Sequence, residues 1–178
     1  MSLARTFLRF LKEMHINASN ENKIKWLRSK GAKIGDKTRF ICGVEALGTE
    51  PYMVSIGCDC LLSSDVRIFT HDGGVKVLNS LKFFDNPNDK MGRVSIGNNC
   101  FIGHGAVILP GVSIGDNVIV GAGSIVSKNV PSGVVCAGVP AKVICTIEEY
   151  YKKNFEAGNF YDFVSQKVDK RKFFEEQK

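Results

Sequence analysis

The chain has 178 residues, 44% of them hydrophobic, and carries 24 Lys plus Arg against 18 Asp plus Glu, a formal net charge of +6. That length suits one domain with appendages, the hydrophobic share excludes a disordered chain, and no apolar run reaches the ~18 residues of a membrane span. The excess charge lies in residues 1–33, which hold eight basic and two acidic residues, so the body is neutral and nucleic acid is not an expected partner.

In chain order, the first element is a basic amphipathic helix. Leu3, Phe7, Phe10, Leu11 and Met14 recur at helical spacing, with Arg5, Arg9 and Lys12 between them. Its simplest role is to cap the body or pack on a neighbour. Peripheral contact of residues 4–15 with an anionic membrane is the less favoured alternative. Met1 to Arg9 lacks the unbroken apolar core of a signal peptide, which points to a cytoplasmic protein. A second helix is expected over residues 20–30, with Gly31 as its stop. Residues 1–33 thus form an N-terminal arm.

Residues 34–145 follow a period of six. Ile96, Ile102, Ile108, Ile114, Val120 and Val126 are β-branched aliphatics at constant spacing, and Gly97, Gly103, Gly115 and Gly121 follow four of them. Four places on stand Cys100, Ala106, Val112, Val118, Ser124 and Val130, small or β-branched each time. The same register opens at Ile34 and Phe40 and returns at Ile56, Leu62 and Ile68. Insertions near 44–55 and 70–93 interrupt it. A hexad is too short for a helical repeat. It suits a short parallel strand and a turn, with three hexads closing one triangular coil of a parallel β-helix. The third place after each aliphatic should take φ > 0, and Asp59, Asp65, Asn99, Gly105, Gly111, Asn117, Gly123 and Asn129 stand there. On this reading most of the glycines are left-handed turns. The interior is expected to be too thin for rings. Six cysteines read as reduced thiols. Cys60, Cys100 and Cys136 fall at the small inward place, Cys42 in a strand and Cys58 outward, with no zinc-ligand spacing.

Residues 146–178 form the tail. Thr146-Ile147-Glu148-Glu149 is a capping-box sequence for a helix running to about Ala157, and residues 160–178 could supply another.

The segments IGHGAVILPGVSIGDNVIVGAGSI (102–125) and VVCAGVPAKVI (134–144) resemble the hexapeptide-repeat acyltransferases. FTHDGG (69–74), followed by an insertion, is similar to the branch of sugar and polysaccharide O-acetyltransferases that includes the maltose and galactoside enzymes. The likeness covers roughly residues 34–145. It implies a left-handed parallel β-helix with helical extensions at both ends, and a homotrimer with active sites between subunits. It also implies acetyl-CoA as co-substrate, a sugar or glycan acceptor, and no metal. By this resemblance His71 is the catalytic base that deprotonates the acceptor hydroxyl. Asp72 beside it would orient the ring or bind the sugar. His104, Ala122, Ser127, Lys128 and Lys142 would line the coenzyme channel, the lysines meeting phosphates. The family often places Thr at 127 and Arg at 142, and Lys142 forgoes a bidentate contact.

Other readings compete. An N-acetyltransferase on an amino sugar nucleotide would need the same base. A γ-class carbonic anhydrase needs three histidines, but His15 lies outside the coils and only His71 and His104 remain. Serine acetyltransferases carry a much larger N-terminal domain. A non-catalytic β-helix scaffold gains nothing from His71 or the long insertion.

Overall fold

A computed structural model of the chain describes residues 13–165 and 167–175, apart from the side chain at 174. Most of the basic amphipathic helix expected at the start falls outside these residues. What is described begins with a helical stretch over 13–17 and then α1 (Asn20–Ser29). The Ser19 hydroxyl accepts from the Asn22 N–H at the start of α1, and Gly31 follows the helix at φ +89.

Thirteen strands follow: β1 (Lys33–Ile34), β2 (Arg39–Phe40), β3 (Val54–Ile56), β4 (Leu61–Leu62), β5 (Arg67–Ile68), β6 (Val94–Ile96), β7 (Phe101–Ile102), β8 (Val107–Ile108), β9 (Ser113–Ile114), β10 (Ile119–Val120), β11 (Ile125–Val126), β12 (Val134–Gly138) and β13 (Ala141–Thr146). They stack as three faces of a parallel β-helix, as the hexads imply, and it is left-handed, as the family resemblance implies. The first face is β1-β3-β6-β9, the second β13-β12-β10-β7-β4-β2, and the third β11-β8-β5. Among the strands of the described residues, β12 and β13 alone pair antiparallel, ending the coil in a hairpin.

Register turns the sequence period into columns. Phe40, Leu62, Ile102, Val120 and Cys136 align on the second face, and Ile68, Ile108 and Val126 on the third. All are buried, and Leu62, Ile102, Ile108 and Val120 are fully enclosed. The smaller residues four places on, Cys60, Val66, Cys100, Ala106, Val112, Val118 and Ser124, are buried beside these columns, so an aliphatic and a small side chain per hexad fill the narrow interior. Phe40 is an exception to the expectation that no ring fits. It sits inside the first coil, beneath α1, where Lys23 of that helix reaches in to donate to the Phe40 and Cys42 carbonyls. The third side of that coil is a 3-10 turn (Val44–Leu47) packed against β5 instead of a strand.

Four further expectations are corrected. Only eight of the 18 glycines have positive φ. Gly35, Gly57, Gly97 and Gly115 instead form a column whose neighbouring coil leaves no room for a side chain: a Cβ at Gly97 would lie 2.7 Å from the Gly115 carbonyl carbon. Asn129 does not adopt positive φ, because the last coil is two residues short. Val130 pairs with Ile114 and Cys136 with Val120, each 16 residues apart, against the 18 that separate Ile96 from Ile114. Cys136 therefore occupies the large aliphatic column, not the small place. Cys42 lies in a bend, not a strand, and burial pushes its thiol up to about 11.

The chain divides into two compact units, Met1–Ile147 and Glu148–Lys178. α3 (Ile147–Glu156) opens directly after Thr146, while the region expected as a further helix is helical only over α4 (Lys170–Glu175). Within the second unit, Tyr151 packs on Phe155 and Phe160, and Phe163 on Phe173. Among the described residues no helix is long and apolar enough to cross a membrane.

Candidate active site

The two insertions leave the coil along one edge, where the third face turns into the first. The first holds a short 3-10 turn (Pro51–Met53) that begins right after Glu50, and the Pro51 ring fixes the backbone there. The second is not plain loop. It carries α2 (Val75–Ser80) and is tied shut at its base. His71 bridges Met91 in antiparallel fashion, the Asp72 N–H donates to the Lys90 carbonyl at 2.9 Å, and the Gly92 N–H to the Thr70 carbonyl at 2.8 Å. Higher up, Asn79 and Asn88 exchange side-chain and backbone hydrogen bonds.

His71 stands at this base with its side chain half exposed. Its Nδ1 lies 2.9 Å from Oε2 of Glu50. The same Oε2 accepts from the Thr70 hydroxyl at 2.7 Å, and Oε1 accepts from the Thr49 hydroxyl at 2.5 Å. The hydroxyls of Thr49 and Thr70, then the His71 ring, hold the Glu50 carboxyl down to about 2. An ionised carboxylate can only accept, so the proton between the two residues belongs on Nδ1. Nε2 of His71 makes no hydrogen bond among the described residues. An imidazole in that state leaves Nε2 as an acceptor, which a proton-abstracting base requires.

Asp72 does not touch the ring. Its Oδ1 accepts from the Gly74 N–H and its Oδ2 pairs with Lys90 Nζ at 2.7 Å, and these contacts, Lys90 first, lower its carboxyl. The carboxylate within hydrogen-bond distance of the imidazole is that of Glu50, not of Asp72. Sequence reasoning passed over Glu50, yet a signal existed. The 22-residue step from Ile34 to Ile56 sets residues 48–50 beside 70–72.

Around His71 lies a cavity of about 300 Å³ lined by Glu50, Tyr52, His71, Asp72, Gly73, Val75, Asp89, Lys90 and Met91. A larger groove of about 730 Å³ runs between α1 and the first coil, but its lining holds neither histidine nor cysteine. Chemistry therefore favours the smaller cavity.

The remaining expected site residues fall on two edges. The Leu109 N–H donates to the Val126 carbonyl and the Phe69 N–H to the Ile108 carbonyl, so Ser127 and Lys128 stack on the same edge as His71. His104 and Ala122 stack on the adjoining edge, because the Gly123 N–H donates to the His104 carbonyl and the Gly105 N–H to the Ser64 carbonyl. His104 Nδ1 lies 2.8 Å from the Ser64 hydroxyl and 3.7 Å from Asp65 Oδ2. Lys142 joins this second edge through its pairing with Ala137, against which Gly121 is packed. Ala122, Ser127, Lys128 and Lys142 are all exposed. One chain thus carries the base on one edge and three of the five expected channel residues on another, with the third face between them.

A model of the bacterial transferase hexapeptide family (six repeats) matches residues 93–128. Over 152 residues the chain is 46% identical to Protein CapG of Staphylococcus aureus, covering 85% of this chain and 84% of that protein. Against the galactoside O-acetyltransferase of Escherichia coli (strain K12) it is 35% identical over 134 residues, 72% of this chain and 63% of the enzyme. The crystal structure of a maltose O-acetyltransferase from Clostridium difficile 630 superposes with a TM-score of 0.51 at 27% identity, covering 72% of this chain and 76% of that one.

Proposed function

The chain belongs to the bacterial transferase hexapeptide family, and from that premise we propose that it moves an acetyl group from acetyl-CoA to a hydroxyl of a sugar or polysaccharide precursor. One observation carries the reading: a histidine that lines a cavity on a transferase scaffold, its Nδ1 engaged by a carboxylate and its Nε2 without a hydrogen bond among the described residues.

The chemistry follows from the donor set. An alcohol is a weak nucleophile at neutral pH and needs a base within reach. As the acceptor oxygen attacks the thioester carbonyl, its O–H bond breaks and an Nε2–H bond forms on His71. The resulting imidazolium sits against Glu50. When the C–S bond breaks, the thiolate of coenzyme A leaves and takes that proton. Products are the acetyl ester and free coenzyme A, so atoms and charge balance. The carbonyl oxygen needs a hydrogen-bond donor while it carries charge.

His104, Ala122, Ser127, Lys128 and Lys142 are the residues we assign to the coenzyme. Ala122 gives close approach at a turn, and the lysines meet phosphate. Because His104, Ala122 and Lys142 lie on a different edge from His71, a complete site calls for the edge of a neighbouring copy beside the His71 edge. A homotrimer satisfies that. The acceptor relatives named above, a galactoside and maltose, support a sugar hydroxyl.

The test is an acceptor screen with acetyl-labelled acetyl-CoA against hydroxyl sugars, amino sugars and sugar nucleotides. The expected product is a base-labile ester on a hydroxyl sugar. Label found only as a base-stable amide would replace this reading with N-acetylation.

A further inference from the structure

We propose that Glu50 is the positioning residue of the site: anchored by Thr49 and Thr70, it locks His71 in the tautomer that carries its proton on Nδ1, so that Nε2 alone is basic. The inference rests on the reading of His71 as the base and goes beyond it.

Three hydrogen bonds fill the Glu50 carboxylate, one on Oε1 and two on Oε2. Thr70 is buried at the end of the third face, so its hydroxyl is a fixed donor. Glu50 itself leads into the 3-10 turn at Pro51, and the Met53 N–H donates to its carbonyl at 2.9 Å. A carboxylate held at both oxygens by short side chains cannot follow the ring, so the ring must conform to it. A neutral imidazole free in water distributes its proton over both nitrogens. Against an anion that accepts only, the Nδ1–H form is selected, and the second nitrogen is an acceptor in every molecule. The same anion steadies the imidazolium formed during transfer, without itself taking the proton.

Asp72 is engaged elsewhere, its Oδ1 accepting from the Gly74 N–H and its Oδ2 from Lys90 Nζ. Glu50→Gln keeps size and shape but offers an NH₂ donor as well as an oxygen, so both tautomers find a partner.

The experiment uses the full chain with ¹⁵N-labelled histidine. Only His15, His71 and His104 contribute signals, and His71→Asn identifies which belong to residue 71. At a pH where the ring is neutral, the wild type should show Nδ1 pyrrole-like and Nε2 pyridine-like. Glu50→Gln should give averaged shifts. Its kcat should fall by about 10²- to 10⁴-fold, with KM for acetyl-CoA changed by less than about threefold. Glu50→Asp should recover part of kcat. A wild-type His71 protonated on Nε2, or a Glu50→Gln enzyme within about threefold of wild-type kcat, overturns the proposal. A fully active His71→Asn variant would overturn the base reading instead, and the tautomer measurement would still decide whether Glu50 holds the ring.

Discussion

Replacing Gly97 by alanine tests what the glycines of the repeat are for. Gly97 has no positive φ, so its backbone strain is nil, but a Cβ there would sit 2.7 Å from the Gly115 carbonyl carbon and 2.5 Å from Asp116 Oδ1. Ordinary contact begins near 3.4 Å. The coils would have to part by about 0.7 Å in a stack whose natural spacing is about 4.8 Å. Hydrogen bonds on either side resist that: Gly57 N–H to Ile96 and Gly97 N–H to Ile114, both 2.9 Å. Asp116 would also release Asn98, whose backbone and side-chain N–H groups it accepts at 2.6 and 2.9 Å. Overpacking of this kind costs about 1–3 kcal/mol, and the lost bonds about 1 kcal/mol each. A total near 3–5 kcal/mol lowers Tm by roughly 6–20 °C in a chain of this size. Gly123 makes the control. Its φ is +67 but nothing lies within 4 Å of a built Cβ. There alanine should cost about 1–2 kcal/mol, and asparagine less. Thermal melts and urea titrations of the three variants decide it. If Gly97→Ala is no less stable than Gly123→Ala, the close-approach account of the column is wrong.

Three further outcomes are expected. Lys23→Met should keep the buried stem but strip donors from the Phe40 and Cys42 carbonyls at a cost of about 1–3 kcal/mol each, read as a drop in urea midpoint that the exposed neighbour Lys25→Met does not share. Glu50 has a folded-state carboxyl lowered from 4.5 to about 2, so its contribution is full above the unfolded value and is lost as pH falls through the folded one. The Tm difference between wild type and Glu50→Gln should therefore be level above about pH 5 and shrink on the way to about pH 2; a difference that grows on acidification contradicts this. Lys128→Ala should weaken coenzyme A binding by about tenfold in calorimetry, the scale of one lost charge-assisted contact, and unchanged affinity would remove Lys128 from the coenzyme site.

Much of the fold could be read from residues because a β-helix repeats one short rule. Every sixth aliphatic from Ile96 to Val126 is buried in a column, and the Asp and Asn turns at 59, 65, 99 and 117 do take positive φ. Where the rule lapses, the sequence misleads. Extending the phase past Val126 put Cys136 in the wrong column, since a two-residue shortening leaves no mark when Val130 and Cys136 are themselves small and apolar. Glycine is ambiguous for a similar reason: Gly97 and Gly123 serve different needs, one spatial and one torsional. At the site, His71 was legible from its short motif. Glu50 was harder to find, because it lies 21 residues away in an insertion without hexads, and only the 22-residue coil step sets the two side by side. The buried Lys23 was read as one more charge of a basic arm, although the open end of the coil supplies carbonyls that need a donor.

The central claim is that His71 abstracts the proton of a sugar hydroxyl. Its most direct measurement is the single-turnover rate of acetyl transfer by His71→Ala on the best acceptor from the screen, with coenzyme A affinity and Tm recorded on the same preparation. The account predicts a loss of about 10²-fold or more in rate with affinity and melting essentially retained. Transfer at close to the wild-type rate by a folded, coenzyme-binding variant would contradict it.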